Sequence, residues 1–372
     1  MKTIQGKAIN IKSSILGRIT FKNKYLNRND YIRIGGNLSF LQKGYAATIM
    51  ASEERKTSLP YCIVDDLEEF NEGDVVLINS DGSIVFLYEI NVHSNVIMAT
   101  ERCNHRCIMC AQPPIVNEID KTPFNLKLIS LMDKKSKEIG ISGGEPTLIG
   151  DNLFVLIKQI QEKLPAASIS ILSNGVRFAD INFAAKLARC RHRDLQIDIP
   201  IFSDIAEIHN KIVGASTFYK TIQGLYNLAQ FHQQIGIRVV VQKQNYRRLP
   251  QLADFIYHNF PFVAQVAFMQ LEIVGIALNN MDEVWIDPFD YNRELKEAVL
   301  LLNQRGIDSY IYNSQMCILP EELRPYSVQS ISNWKDIYID ECDGCKFRGK
   351  CAGFFASNKD YHSTHIRKVV DA

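Results

Sequence analysis

Apolar and polar positions along the chain change their pattern twice. In residues 1 to about 92, short β-rich runs dominate: Val75–Asn79 and Ile84–Glu89 are joined by Ser80-Asp81-Gly82-Ser83, a hairpin signal. Upstream, Lys22–Arg33 is basic and polar and reads as a solvated surface, with substrate docking as the other option. From Asn95 short β runs alternate with helical patterns, as in βα units. Ile97–Thr100, Ile139–Ser142, Ser168–Leu172, Leu195–Pro200, Gly236–Val241 and Gln265–Met269 are the predicted strands. Helices are expected near Asn125–Lys137, from about Asn152 to Leu164, and near 218–234 and 249–259. Six parallel strands with intervening helices predict an α/β fold, a partial (β/α)6 barrel. From about residue 276 one amphipathic helix, Asn292–Gln304, precedes an irregular stretch rich in Cys, Pro and Tyr, where a metal would substitute for a conventional core. The expected domains are therefore a mainly-β module over 1–92, a barrel over 93–275 and a Cys-rich extension over 276–372.

Composition changes this picture little. The 372 residues can bury a substantial core, and 46% apolar with 22% charged content is ordinary for a globular protein. A formal net charge of +1 gives no electrostatic case for nucleic acid or a membrane surface. The first residues lack the apolar stretch of a signal peptide, and no window approaches a membrane-spanning length. A cytoplasmic location is expected.

The nine cysteines matter more. An odd count argues against a closed disulfide framework, and in a reducing compartment clustered cysteines more often bind metal. Seven fall into two groups, 103/107/110 and 317/342/345/351, while Cys62 and Cys190 stand alone and read as inert. Thiolates hold iron–sulfur clusters. Cys103, Cys107 and Cys110, in a CxxxCxxC loop, can cap three irons of a cubane and leave the fourth open to a cofactor or substrate. Zinc is the alternative, with His105 as a cramped fourth ligand. Otherwise His105 and Arg106 read as loop residues facing solvent or a carboxylate.

Gly143-Gly144-Glu145-Pro146 follows 33 residues after the last cysteine of the triplet, and Ser173-Asn174-Gly175 follows the next strand. All three motifs stand at the C-terminal ends of predicted strands, where barrel enzymes carry their chemistry. The cysteine loop and Gly-Gly-Glu-Pro in this order resemble the radical S-adenosylmethionine (SAM) superfamily. That resemblance implies a [4Fe–4S] cluster on Cys103, Cys107 and Cys110, with SAM on the open iron. It further implies that the Gly143–Glu145 turn, with Glu145 nearby, holds the methionyl amine. Ser173 and Asn174 would contact the carboxylate or ribose, and Met109 would pack near adenine. Asp198, Ser203 and Gln242 are weaker candidates for the sugar and sulfonium end. The implied chemistry is reductive cleavage of SAM to a 5′-deoxyadenosyl radical, fed by an external electron donor. Ile208–Gly214 followed by Phe218 resembles the segment leading from strand four into helix four of the family, with His209 structural rather than catalytic.

Cys317, Cys342, Cys345 and Cys351 supply four further thiolates, enough to close an auxiliary iron–sulfur cluster or a zinc site. His362 and His365 are available as substitute ligands. Their spacing departs from the seven-cysteine SPASM pattern, which favours one auxiliary cluster over two. The run Glu101–Pro114, Trp285-Ile-Asp-Pro288, Cys317-Ile-Leu-Pro320 and the tail from Cys342 to Ser357 resemble the His-Xaa-Ser system radical SAM maturase of HxsC type. That implies a ribosomally made precursor peptide with His-Xaa-Ser repeats, a second radical SAM maturase and a small accessory protein as partners. Two other functions stay open: a radical SAM enzyme acting on a small metabolite, and a non-catalytic iron–sulfur electron-transfer or scaffold protein.

Overall fold

β-branched and aromatic residues set the first architecture. In a computed structural model, which describes residues 2–24, 26–35, 44–51, 58–329, 337–359 and 361–370, eight short strands precede Asn91. They are β1 (Thr3–Gln5), β2 (Lys7–Ile9), β3 (Ile15–Thr20), β4 (Tyr31–Ile34), β5 (Ala47–Met50), β6 (Tyr61–Ile63), β7 (Val75–Ile78) and β8 (Ser83–Tyr88). They form one sheet in the order β1-β8-β7-β3-β4-β5-β6-β2. Pairing is antiparallel except among β3, β4, β5 and β6, which run parallel. Only Gly6 separates β1 from β2, yet they occupy opposite edges of that order. The sheet must therefore curl until its edges meet, which removes exposed edges. Ile19, Ile32, Ile49, Val76, Ile78 and Ile84 fill its interior, with Cys62 among them. The predicted hairpin is β7–β8; the parallel pairs left no comparable local signal. In the Lys22–Arg33 run, Tyr25 lies outside the described residues.

By internal contacts the chain divides into two units, Met1–Ile97 with Asp120–Gly140 and Val155–Ile169, and Met98–Ile119 with Ile141–Phe154 and Ser170–Ala372. The second sheet follows chain order: β9 (Ser94–Thr100), β10 (Glu138–Gly143), β11 (Ser168–Leu172), β12 (Leu195–Pro200), β13 (Gln234–Val241), β14 (Gln265–Gln270), β15 (Asp308–Tyr312) and β16 (Ser327–Val328). The strands from β12 to β16 pair in parallel. Between strands lie α1 (Thr122–Leu131), α2 (Asn152–Lys163), α3 (Ile181–Arg189), α4 (Ala206–Val213), α5 (Phe218–Gln230) and α6 (Leu249–Asn259). The short α7 (Ile276–Asn279) and α8 (Met281–Val284) and the longer α9 (Asn292–Gln304) follow β14. Among the described residues no helix is long and apolar enough to cross a membrane.

The α/β fold with a partial barrel matches the strand and helix pattern, with two differences. The sheet has eight strands rather than six, because Asp308–Tyr312 and Ser327–Val328 extend it from within the stretch read as irregular. The signal was in Ser309 and Ile311, which alternate with tyrosines and are buried on the sealed face, but five residues make a faint pattern. The helix expected over Asn125–Lys137 starts earlier, with Pro123 in its first turn, and stops at Leu131, where Met132 turns extended.

On each barrel strand one set of alternate residues is sealed: Ile169, Ile171, Ile197, Ile199, Ile237 and Val239 are 0–1% exposed. The opposite set, including Ser170, Leu172, Gln196, Arg238 and Met269, is only part-buried and lines the lumen. A parallel sheet closed on both faces would read as continuous apolar runs; the interleaved polar residues mark an accessible side. Ile237→Ala should therefore cost about 2–5 kcal/mol in urea unfolding, and Leu172→Ala less than half as much. Equal losses would mean that the two faces have been assigned wrongly.

Candidate active site

Strand β9 ends at Thr100, and the chain there enters the cysteine loop. Glu118 braces this exit: it accepts from Thr100 Oγ1 and, at 2.7 Å, from Glu101 N. The loop is then gripped from two sides. Arg106 N donates to Val213 O (2.9 Å) and Ile108 N to Ile212 O (3.0 Å), at the C-terminal end of α4. On the other side, Cys110 O accepts from Ile276 N and Ile108 O from Asn280 Nδ2, both at 2.8 Å. Gly214, at φ 63°, makes the first grip feasible, because a Cβ there would stand 2.5 Å from Arg106 O. This accounts for the Ile208–Gly214 segment.

His105 corrects the reading of a solvent-facing loop residue. It is 3% exposed, and its Nε2 shares a hydrogen bond of 2.9 Å with Thr217 Oγ1. Arg106 is exposed and folds back onto the carbonyls of Cys103 and His105. His209 is structural, as expected: buried, lying against the rings of Phe202 and Phe218, with Nδ1 accepting from Phe202 N. Met109 packs into an apolar cluster with Phe202, Ile212, Val213 and Leu271, with Val240 against it.

The second turn locks onto the first. Gly144 N donates to Thr100 O and Glu145 N to Arg102 O, each at 2.8 Å, and a Cβ on Gly144 would sit 2.3 Å from Arg102 O. Glu145 ends this turn with its side chain inside the protein. Its carboxylate is 1% exposed and accepts from Thr147 N (3.0 Å), Thr147 Oγ1 (2.6 Å), Ser173 Oγ (2.8 Å) and Asn174 N (2.6 Å). Burial raises its pKa, and these donors oppose the rise. The group joins the second and third turns. Ser173 and Asn174 are correspondingly engaged, and Asn174 Nδ2 reaches Asn104 Oδ1 in the cysteine loop at 2.7 Å. Three sequence-distant motifs thus form one hydrogen-bonded body.

The remaining candidates fare differently. Asp198 lies within β12 and accepts from Ser170 Oγ (3.0 Å) and Gln196 Nε2 (2.8 Å). Ser203 turns the chain into α4, accepting from Ile205 N. Gln242, just past β13, is 0% exposed, and neither polar side-chain atom has a hydrogen-bond partner among the described residues. A sealed amide with nothing to bind is costly, so Gln242 is the candidate that points to a ligand.

The three thiols are free and part-buried. Burial pushes Cys107 up to about 12 and raises Cys103 and Cys110 as well. Ionised sulfur is costly there without a cation, which iron supplies. In the tail, Cys317, Cys342, Cys345 and Cys351 line one small pocket together with Tyr338 and Phe354. Burial raises Cys317, Cys342 and Cys351 too. Among the described residues no group of three or more His, Cys, Asp or Glu is placed to hold a single ion. His365 stacks on Phe289 at 3.9 Å and His362 lies against Phe354; neither lines that cavity.

Residues 97–256 match the family model described as the radical SAM superfamily. That match covers 160 of the 372 residues, and it includes the cysteine triplet and the two turns that follow it. It is 30% identical over 189 residues to the Fe-coproporphyrin III synthase of Methanosarcina barkeri, covering 50% of this chain and 45% of that protein. It is 29% identical over 117 residues to the GTP 3′,8-cyclase of Desulforamulus reducens, covering 30% and 36%. The chain thus spans less than half the length of these curated relatives. Among solved structures, anSMEcpe with bound AdoMet has the same fold at TM-score 0.52 and 14% identity, covering 74% of this chain and 92% of that one. A radical SAM domain implies the [4Fe–4S] cluster and SAM, and the thiols, the glycine approach and the orphaned Gln242 amide fit both.

Sequence reasoning missed Asn104, Glu118, Thr217 and Asn280, whose side chains hold the loops. Their partners lie up to 172 residues away, so no local pattern marks them. Gly214→Ala should push Arg106 out of place, cost about 1–3 kcal/mol and lower iron per chain after reconstitution, checked by iron assay and urea unfolding. The buried His209 is held down to about 4, against 6.5 when unfolded. Between those values the unfolded chain binds more protons. His105 is likewise held down to about 4 by burial, so each of the two contributes stability that is full above about pH 6.5 and is lost at about 1.4 kcal/mol per pH unit toward pH 4. His209→Asn, which keeps an acceptor for Phe202 N, should remove about half of the combined slope in urea titrations.

Proposed function

We propose that the chain is a cytoplasmic radical SAM enzyme that modifies a ribosomally made peptide carrying His-Xaa-Ser repeats. It would act with a second radical SAM maturase, a small accessory protein and an external electron donor. Cys103, Cys107 and Cys110 would hold the [4Fe–4S] cluster. The Gly143–Glu145 turn, Ser173, Asn174 and Gln242 would frame SAM, with Met109 on its apolar side and Asp198 and Ser203 farther out. When bound, cluster and SAM supply a 5′-deoxyadenosyl radical that abstracts a substrate hydrogen. The chain's own residues keep the site rigid: α4 and α7–α8 fix the thiol loop, and Glu145 holds the two neighbouring turns. The observation that carries the reading is this single hydrogen-bonded body at one edge of the sheet.

The peptide substrate is supported by the motif run from Glu101 to Pro114 together with Trp285–Pro288, Cys317–Pro320 and the tail. The same fold holds AdoMet and a Cp18Cys peptide in anSMEcpe. The tail cysteines would hold an auxiliary iron–sulfur cluster, with zinc as the alternative. A small-metabolite substrate is the second reading, favoured by the GTP 3′,8-cyclase and coproporphyrin-synthase relatives.

Anaerobically reconstituted protein should cleave SAM to 5′-deoxyadenosine, and Cys103/Cys107/Cys110→Ala should lose at least about a thousandfold of that activity, since the nucleating ligands are gone. A His-Xaa-Ser precursor should accelerate cleavage and change mass when the partner maturase is present. No cleavage by loaded protein would sink the enzyme reading. Cleavage stimulated by GTP or a porphyrin rather than by peptide would transfer the case to the metabolite reading.

A further inference from the structure

A guanidinium stands in the barrel lumen without an ion-pair partner among the described residues. Arg238 lies on β13 on the same face as Val240 and Gln242, the face that lines the lumen. Protein atoms surround its head, and burial lowers its pKa, partly offset by Asp198 and the Tyr312 phenol nearby. Its side chain nevertheless keeps some accessible surface, as a group bordering an internal space does.

Its hydrogen bonds are poor. Nε and Nη2 both donate to Met269 Sδ, at 3.4 and 3.2 Å, and a thioether is a weak acceptor. Nη1 has no partner. Among the described residues Arg238 forms no ion pair. The nearby carboxylate, Asp198, is engaged with Ser170 and Gln196 and lies over Gly236, where a Cβ would meet its Oδ1 at 2.1 Å. A buried cation left in this state is expensive, and a guanidinium fork matches a planar carboxylate in two parallel bonds.

The direction of the side chain adds to this. In strand register Arg238 sits opposite Ala267, and Met269 opposite Val240. A guanidinium in contact with Met269 therefore leans one pleat toward the C-terminal edge. Gln242 stands on that edge, four residues or about 13 Å along the strand from Arg238. The fork faces the space between the strand interior and the catalytic rim.

We propose that Arg238 anchors a carboxylate of the substrate in the barrel lumen, so that the enzyme selects a substrate with an acidic group near the reacting position. In a peptide substrate that group is an Asp or Glu side chain or the chain terminus. This rests on the radical SAM reading above. Its test reads binding and so stands apart from catalysis.

Reconstituted protein with SAM would be titrated calorimetrically with N-acetylglutamate amide, with N-acetylglutamine amide and with inorganic phosphate. The glutamate probe should bind about ten- to a hundredfold tighter than the glutamine probe, the worth of a charge-assisted hydrogen bond. Arg238→Gln should abolish that difference, and Arg238→Lys should keep part of it. Affinity for SAM should not change in either variant. Equal binding of the two amino-acid probes by the unaltered protein would overturn the proposal, as would tighter binding of phosphate. A loss of SAM affinity in Arg238→Gln matching the loss for the probe would assign the guanidinium to the cofactor instead. Should Arg238→Gln fail to fold, the probe contrast in the unaltered protein and its reduction in Arg238→Lys decide the question. Failure of SAM cleavage with the probe contrast intact would count against the enzyme reading alone.

Discussion

Three thiols can serve one inorganic body only if the loop carrying them is held still, and that constraint organises the site. The loop over Cys103–Cys110 has no regular structure of its own, so its backbone groups need partners elsewhere. They find them at the end of α4, through Val213 and Ile212, and around α7–α8, through Ile276 and Asn280. Both grips use rigid elements. A loop satisfied this way has little freedom left to lose on taking up a cofactor.

Glu145 carries the same logic to the next two turns. A sealed carboxylate is tolerable because four donors from Thr147, Ser173 and Asn174 surround it. Losing one donor would leave a buried acceptor under-satisfied, so the network tends to be complete or absent. Asn174 closes the circuit to Asn104, next to Cys103. Groups that the motifs suggest as cofactor ligands therefore act first on one another, while Gln242 and Arg238 remain without adequate partners.

Polar residues divide into two kinds along the barrel. Ser170, Gln196 and Asp198 satisfy each other across neighbouring strands. Arg238 and Gln242, one strand further, do not. Their sheet is packed on its outer face by sealed isoleucines and valines, so neither can retreat to water by moving the backbone. Unmet hydrogen-bonding capacity in a rigid wall is what a binding surface retains for its ligand.

Much of this was legible along the chain. The alternation of β runs and helices, the hairpin over Ser80–Ser83, the extent of Asn292–Gln304 and the placement of three motifs at strand ends follow from local pattern and turn chemistry, which act over a few residues. The pairing of β3 to β6, the seventh and eighth strands of the barrel sheet, the burial of His105 and the isolation of Arg238 do not. A parallel partner, a helix end or a missing counter-charge is supplied by residues distant in the chain. Whether Glu145 faces a ligand or its own neighbours depends on where Ser173 and Asn174 arrive, 28 and 29 residues later. Sequence alone decided which elements form and which chemistry is available; packing in three dimensions decided which polar groups are satisfied and which are left to bind.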